Sequence, residues 1–313
     1  MDAHTAQGPY RVPFHPRMLH PRYWLDWLAV GLLALFAFVP PSLRRLLAYP
    51  LARLLKPLCR KPVAVARKNL ASCYPHWSAA KRERLINQLL VTFVCTGLGL
   101  GELALRRKSF LSKRIEIDGL AHLEAARAEG KAVVFLVPHM FALEYAAAGL
   151  AMTGLPMIGM IKHHRSPVLN WAAYRQRLRF GGELFHRDAG MPTIVRQLKQ
   201  GNSLFYLPDQ DHGEHCSVFA PFFSCQKATL PVISRIARCS DAVVVPLSVG
   251  FVGTDGRARI QLDAPLPLAK LDKDEEARLL NQQMERLIGR HPDQYMWFLK
   301  ILKSRPLGEP KLY

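Results

Sequence analysis

Apolar positions along this chain fall into two regimes. From residue 115 onward, short apolar runs alternate with longer amphipathic ones. "RIEIDG", "AVVFLV", "PMIGMIK", "SLFYL", "AVVVPLSVGF" and "RARIQLD" have the length and β-branched content of strands. Between them, "LAHLEAARAEG", "FALEYAAAGLAM", "PVLNWAAYRQRLRF", "MPTIVRQLKQG", "KATLPVISRIARCS" and the closing "DKDEEARLLNQQMERLIGRH" predict helices, with Gly130 and Gly201 as stops. Upstream, "SAAKRERLINQLLVTFVCTGLGLGELALRR" predicts one long helix opened by Ser78 as N-cap. Such alternation predicts an α/β fold, a mostly parallel sheet flanked by helices on both faces. No internal repeat or low-complexity linker interrupts it.

The N-terminal regime differs. Trp27 to Val39 is uninterrupted apolar residue or glycine, and only Asp26 breaks a longer stretch from Tyr23. A spanning helix needs about 20 apolar residues, whereas about 10–14 more often lie at an interface or in a core. No small-x-small cleavage site follows, so a signal peptide is disfavoured. Tyr23, Trp24 and Trp27 cluster at one end, and Arg44, Arg45, Arg53 and Lys56 follow within a second, Leu-rich run. That arrangement suits a headgroup layer carrying negative charge. Residues 1–57 are therefore expected to form a membrane anchor or interfacial helix pair, with a buried core helix as the alternative, and residues 58–313 the catalytic domain. Arginines flank both ends of the apolar stretch, which gives no orientation.

Charge sharpens this picture. Lys and Arg number 43 against 24 Asp and Glu, a net +19, so the partners are anionic: nucleic acid, a membrane surface or a phosphorylated substrate. No nucleic-acid module is recognisable and the basic residues are spread rather than striped, which disfavours the first. The six cysteines lack metal-binding or paired spacing, so they read as reduced thiols with no metal site.

His139 and Glu144 interrupt an otherwise apolar strand and helix, and both are costly to bury without partners. On one helix they would be separated by about 500°, so they meet only if His139 stands at the helix's N-terminal edge. There the carboxylate would orient the imidazole for proton abstraction, and the helix N-terminus would offer N–H groups to an oxyanion. The spacing H-x-x-x-x-E occurs about once by chance in such a chain, and the bland alternative is a His and a Glu capping a core helix. Further candidates lie downstream. Arg187 ends "FGGELFHR", a turn able to present a guanidinium to phosphate, and Asp209 and Asp211 follow "SLFYL" at a strand edge of the kind that binds ligands.

Taken together, "PHMFALEY", "GELFHRD" and "VVVPLSV" resemble the first, second and fourth blocks of glycerolipid-type acyltransferases. "PDQDHGEHCSVFAPFF", in the place of their third block, resembles the lipid A biosynthesis (late, lauroyl/myristoyl) acyltransferases. "HPRYW" near the start and "HPDQYMWFLKILKSRP" near the end agree, so the likeness runs from about His20 to Pro306. "FLKILK" lacks the arginines usual there, and "CQKATLPV" lacks a usual small polar stretch; both leave the acceptor and acyl length open.

The resemblance implies a glycerolipid-acyltransferase-like fold and transfer of a fatty acyl group from acyl carrier protein to a hydroxyl of a lipid A precursor. The reaction would need no cofactor beyond the acyl-carrier co-substrate and no acyl-enzyme, and would take place at the bacterial inner membrane with the catalytic domain facing the cytoplasm. His139 would be the general base and Glu144 its partner. Arg187, with Arg175, Arg177 or Arg179, would meet the phosphates or the charged intermediate, and Asp209 and Asp211 would position those arginines or the acceptor sugar. The alternatives are an acyltransferase for a lysophospholipid or other lipid acceptor, and a non-catalytic basic membrane-binding protein.

Overall fold

A seven-stranded sheet forms the centre of the computed structural model, which describes residues 8–253, 255–268 and 271–313. Four helices precede it: α1 (Trp24–Phe36), α2 (Pro41–Leu55), α3 (Arg60–Cys73) and α4 (Ala79–Leu105). After α5 (Lys108–Arg114), strand and helix alternate through β1 (Ile115–Asp118), α6 (Leu120–Ala128), β2 (Val133–Leu136), α7 (Leu143–Met152), β3 (Met157–Ile161), α8 (Pro167–Arg177), β4 (Glu183–His186), α9 (Gly190–Lys199) and β5 (Ser203–Tyr206). A separate hairpin, β6 (Val218–Phe222) and β7 (Cys225–Thr229), leads to α10 (Ile233–Ser240), β8 (Val243–Val252), β9 (Arg257–Leu262) and α11 (Lys273–Arg290).

The order across the sheet is β1-β9-β8-β2-β5-β3-β4, and every neighbouring pair is parallel except β8 with β9. The central strand β2 is buried at all four positions, as a strand covered on both faces must be. Fold class and alternation are therefore as the sequence predicts, and Ser78 caps α4 through a bond from the Lys81 amide to its hydroxyl. "KATLPVISRIARCS" is not one helix. Its first residues form β7, because Pro231 disfavours helical geometry at Leu230, and α10 begins only at Ile233.

The N-terminal pair packs on α4. α1 approaches so closely at Gly101 that a β-carbon there would lie 2.0 Å from the Leu33 carbonyl oxygen, so only glycine fits. The outer side stays uncovered: Trp24, Leu25, Leu28, Leu32 and Leu35 on α1 and Leu43, Leu46, Leu47 and Leu54 on α2 are exposed. At 13 residues, α1 is about 20 Å long, short of a bilayer core of about 30 Å. Among the described residues, α4 alone is long and apolar enough to cross a membrane, but 44% of its apolar window is buried inside the protein.

Candidate active site

Parallel pairing of β2 with β5 sets Leu136 opposite Tyr206. Three residues beyond each partner stand His139 and Asp209, so the register itself brings them together at the carboxyl edge of the sheet. The His139 Nδ1 lies 2.5 Å from the Asp209 Oδ1, and the His139 amide donates to Oδ2 at 2.7 Å. Asp209 is fully buried, whereas the imidazole keeps an open edge. The Gln210 side-chain amide sits 3.1 Å from that edge's Nε2. A carboxylate on Nδ1 fixes the proton there and leaves Nε2 as the acceptor.

Glu144 is bonded to Arg177 rather than to His139. From the second position of α7 it takes a forked pair of bonds from Arg177 at the end of α8, at 2.5 Å from Nη2 and 2.9 Å from Nε, with Gln176 nearby at 3.4 Å. The physical reason is positional: His139 lies in the loop before α7, already turned toward β5, while Glu144 faces α8. Two of the amides before α7 are committed elsewhere. The His139 N–H goes to Asp209, and the Phe141 N–H goes to the Gln294 carbonyl. These two are not free to receive an anion, and Arg177 and Lys162 are positive groups that line the cavity.

The C-terminal segment clamps the same loop. Met140 and Tyr295 form an isolated antiparallel bridge, and the Met296 amide donates to the His139 carbonyl at 2.8 Å. His139, Glu144 and Arg177 then share a cavity of about 450 Å³ running under α7, past Ala147 and Ala151, toward Met157 and Phe205. Apart from Glu144 at its mouth, the side that α7 turns to this cavity is apolar and largely small.

Electrostatics follow from burial and pairing. Burial opposes a charge on His139, but the Asp209 carboxylate and its hydrogen bond outweigh it, so the imidazole's pKa is raised. Burial pushes Asp209 up, yet His139 and Lys227 hold it below the usual carboxylate range. Lys227, carried into the interior by β7, is itself pushed down to about 8 by burial, against the pull of Asp209 and Asp211.

The remaining candidates divide. Asp211 accepts from the Gly213 amide and from both the amide and hydroxyl of Ser304, which makes it a clasp for the C-terminal segment. Asp209 likewise serves His139, not an arginine. Arg179 donates to the Leu103 carbonyl on α4, and Arg175 is exposed on α8 away from the cavity lining. Arg187 is exposed and paired with Asp188, yet close enough to His212 that it helps burial and Lys227 lower that imidazole's pKa. Gln210 and Lys227 are not among the residues the sequence singles out; the signal for Gln210 is its place between Asp209 and Asp211, whereas Lys227 comes to the aspartates only through the hairpin β6–β7. Among the described residues, no cluster of His, Cys, Asp or Glu stands where it could hold a metal ion.

A sequence model of the bacterial lipid A biosynthesis acyltransferases matches residues 11–304. The chain belongs to that family. It is 36% identical to a lipid A biosynthesis acyltransferase of Haemophilus influenzae over 97% of this chain and 96% of that one. It is 35% identical to the lipid A biosynthesis myristoyltransferase of Escherichia coli (strain K12), covering 100% of this chain and 97% of that one. Among solved structures it matches the 1-acyl-sn-glycerophosphate (LPA) acyltransferase PlsC of Thermotoga maritima at a TM-score of 0.39 and 12% identity, over 80% of this chain and 98% of that one, a likeness too slight to carry weight. Family membership makes the protein an acyltransferase of lipid A biosynthesis, and the resemblance in its motifs is a true kinship.

Proposed function

We propose that the protein transfers a fatty acyl group from the thioester of acyl carrier protein to a hydroxyl of a lipid A precursor, with His139 as general base and Asp209, in place of Glu144, as its orienting carboxylate. The observation that carries this reading is the His139–Asp209 pair, open at Nε2 and set at the mouth of an apolar cavity. The acceptor hydroxyl displaces Gln210 from Nε2 and gives up its proton there. The oxygen attacks the thioester carbonyl, and Asp209 stabilises the imidazolium that forms. Collapse of the tetrahedral intermediate breaks the C–S bond, and the imidazolium returns the proton to the departing thiolate. No enzyme atom is acylated on this route.

Arg177, held in place by its two bonds to Glu144, faces the developing oxyanion from a partly desolvated wall, where a guanidinium acts more strongly than in water. The acyl chain occupies the cavity under α7; its volume of about 450 Å³ lies within the usual range for enclosed ligands. Lys162 and His164 at its rim suit the phosphates of the acceptor. The uncovered leucines of α1 and α2 suit partial immersion in the inner membrane, residues 1–57 lying in the interface with the catalytic domain on the cytoplasmic side. Each such side chain gains about 1.5–3 kcal/mol if it leaves water. The net charge of +19 suits both an anionic membrane and an acidic carrier protein.

The test compares membranes carrying the wild type or His139→Ala, supplied with acyl carrier proteins loaded with chains of different lengths and a tetra-acylated precursor. Transfer by the wild type that disappears in the variant, with protein level unchanged, supports the reading; full transfer by the variant refutes the base. Failure with this acceptor but transfer to a lysophospholipid would support the second acceptor class instead.

A further inference from the structure

A second cavity, of about 450 Å³, is lined by Tyr145 of α7 and shares no lining residue with the His139 cavity. α2, α4 and the turn between β8 and β9 enclose it. Arg44 of α2 and Arg114 at the end of α5 line its inner wall, and Arg45 and Tyr49 stand at its rim. Two guanidiniums here face one buried carboxylate. Arg44 pairs with Glu102 through Nη2 alone, while Arg114 approaches Glu102 only at 3.9 Å and gives its two terminal nitrogens to the carbonyls of Asp255 and Gly256. Glu102 also accepts from the Tyr145 hydroxyl.

That leaves Nε and Nη1 of Arg44 and Nε of Arg114 buried without an acceptor. The Arg44 side chain is 97% buried. A desolvated guanidinium with unused donors is expensive, and the cost is removed by an anion that accepts from it. Asp293 is the one carboxylate among the described residues lining the cavity, and it makes no bond to either buried arginine. α2, which gives Pro41, Arg44, Arg45 and Tyr49 to the lining, also carries the uncovered leucines.

We propose that this cavity is a binding site for a phosphate monoester carried on a membrane lipid, distinct from the His139 cavity. A tetrahedral phosphate oxygen array can accept from Arg44 and Arg114 at once, and such an ester enters from the side where α2 meets the bilayer. Because Tyr145 and Gln294 line this cavity while the neighbouring Phe141 amide is bonded to Gln294, the ligand braces the loop that carries His139.

The test is calorimetric binding to the full chain in neutral detergent. Dioctanoyl phosphatidic acid supplies the monoester, dioctanoyl phosphatidylglycerol a singly charged diester with the same chains, and inorganic phosphate the free anion. We expect saturable binding of phosphatidic acid, weaker binding of the other two, and no change in His139→Ala. Arg44→Gln alone strands Glu102, so the decisive variant is Arg44→Gln with Glu102→Gln, which keeps an uncharged hydrogen-bonded pair. It should lower phosphatidic acid affinity at least ten-fold with an unchanged melting temperature. Unaltered affinity in that double variant overturns the site. Inorganic phosphate binding as tightly as the lipid overturns the lipid source, and equal affinity for the diester overturns the monoester.

Discussion

Lys227 is the sharpest point at which stability and catalysis are expected to oppose each other. It is 1% exposed, and its ammonium has only long contacts, at 3.3 Å to the Ala228 carbonyl and 3.5 Å to the Pro208 carbonyl and the Thr229 hydroxyl. Burial lowers its pKa from 10.5 to about 8, a figure that already includes the attraction of Asp209 and Asp211. A fall of that size means that keeping the lysine charged costs the fold about 3 kcal/mol at pH 7. Lys227→Met, similar in length and apolar, should therefore stabilise the protein by up to that amount. The sign over pH is fixed: between pH 8 and 10.5 the unfolded chain holds more protons than the folded one, so wild-type stability rises there. The advantage of the variant is full below pH 8 and vanishes above 10.5. Thermal unfolding of both proteins in the same detergent, at steps from pH 7 to 11, reads this directly, and acyl transfer measured alongside should fall because Asp209 loses its second cation. A variant less stable than wild type at pH 7, or an advantage that does not change with pH, would refute the reasoning.

Other outcomes follow from the same geometry. Asp209→Asn should cut turnover by about 10³–10⁴-fold while leaving the protein folded, the scale seen when an orienting carboxylate is lost from a histidine base; Glu144→Gln, by contrast, should act through Arg177 and leave the pH profile of the base in place. Because Asp209 raises the pKa of His139 above its ordinary value, activity should decline as pH falls through that raised pKa, as a pH–rate profile at saturating donor would show. Ala147→Phe places a ring in the cavity under α7 and should shift donor preference to shorter acyl chains, read by competition between carrier proteins of two chain lengths. Asp211→Ala releases Ser304 and its three side-chain bonds, and should lower the melting temperature by a few degrees, about 1–2 kcal/mol in a chain of this size.

The fold was legible because its strands are short, apolar and spaced by helices whose stops are visible, as at Gly130 and Gly201. β6 and β7 were not: "SVFAPFF" holds a proline, and "CQKAT" is too short and polar to stand out from the helix after it. His139 was legible as a costly polar residue in an apolar run. Its partner was not, because the His139–Asp209 contact spans 70 residues and depends on the register between β2 and β5, which no local spacing encodes. Glu144 is the nearest carboxylate along the chain, but nearness in sequence does not set which carboxylate is bonded to His139. Its bond to Arg177 likewise depends on how α7 lies against α8.

The clamp on the His139 loop carries a consequence for how the protein comes into being. The loop's backbone is tied to Gln294, Tyr295 and Met296, and the segment beyond them is pinned in turn by Asn69, whose side-chain amide donates to the carbonyls of Trp297 and Leu299 at 2.7 Å. Synthesis proceeds from the N-terminus, so the apolar helices and the sheet emerge long before these ties can form. The His139 loop therefore takes its form only after residues 294–299, made well after the strands that flank it, have closed over it. Order at this loop is a late product of folding, set by contacts more than 150 residues away along the chain.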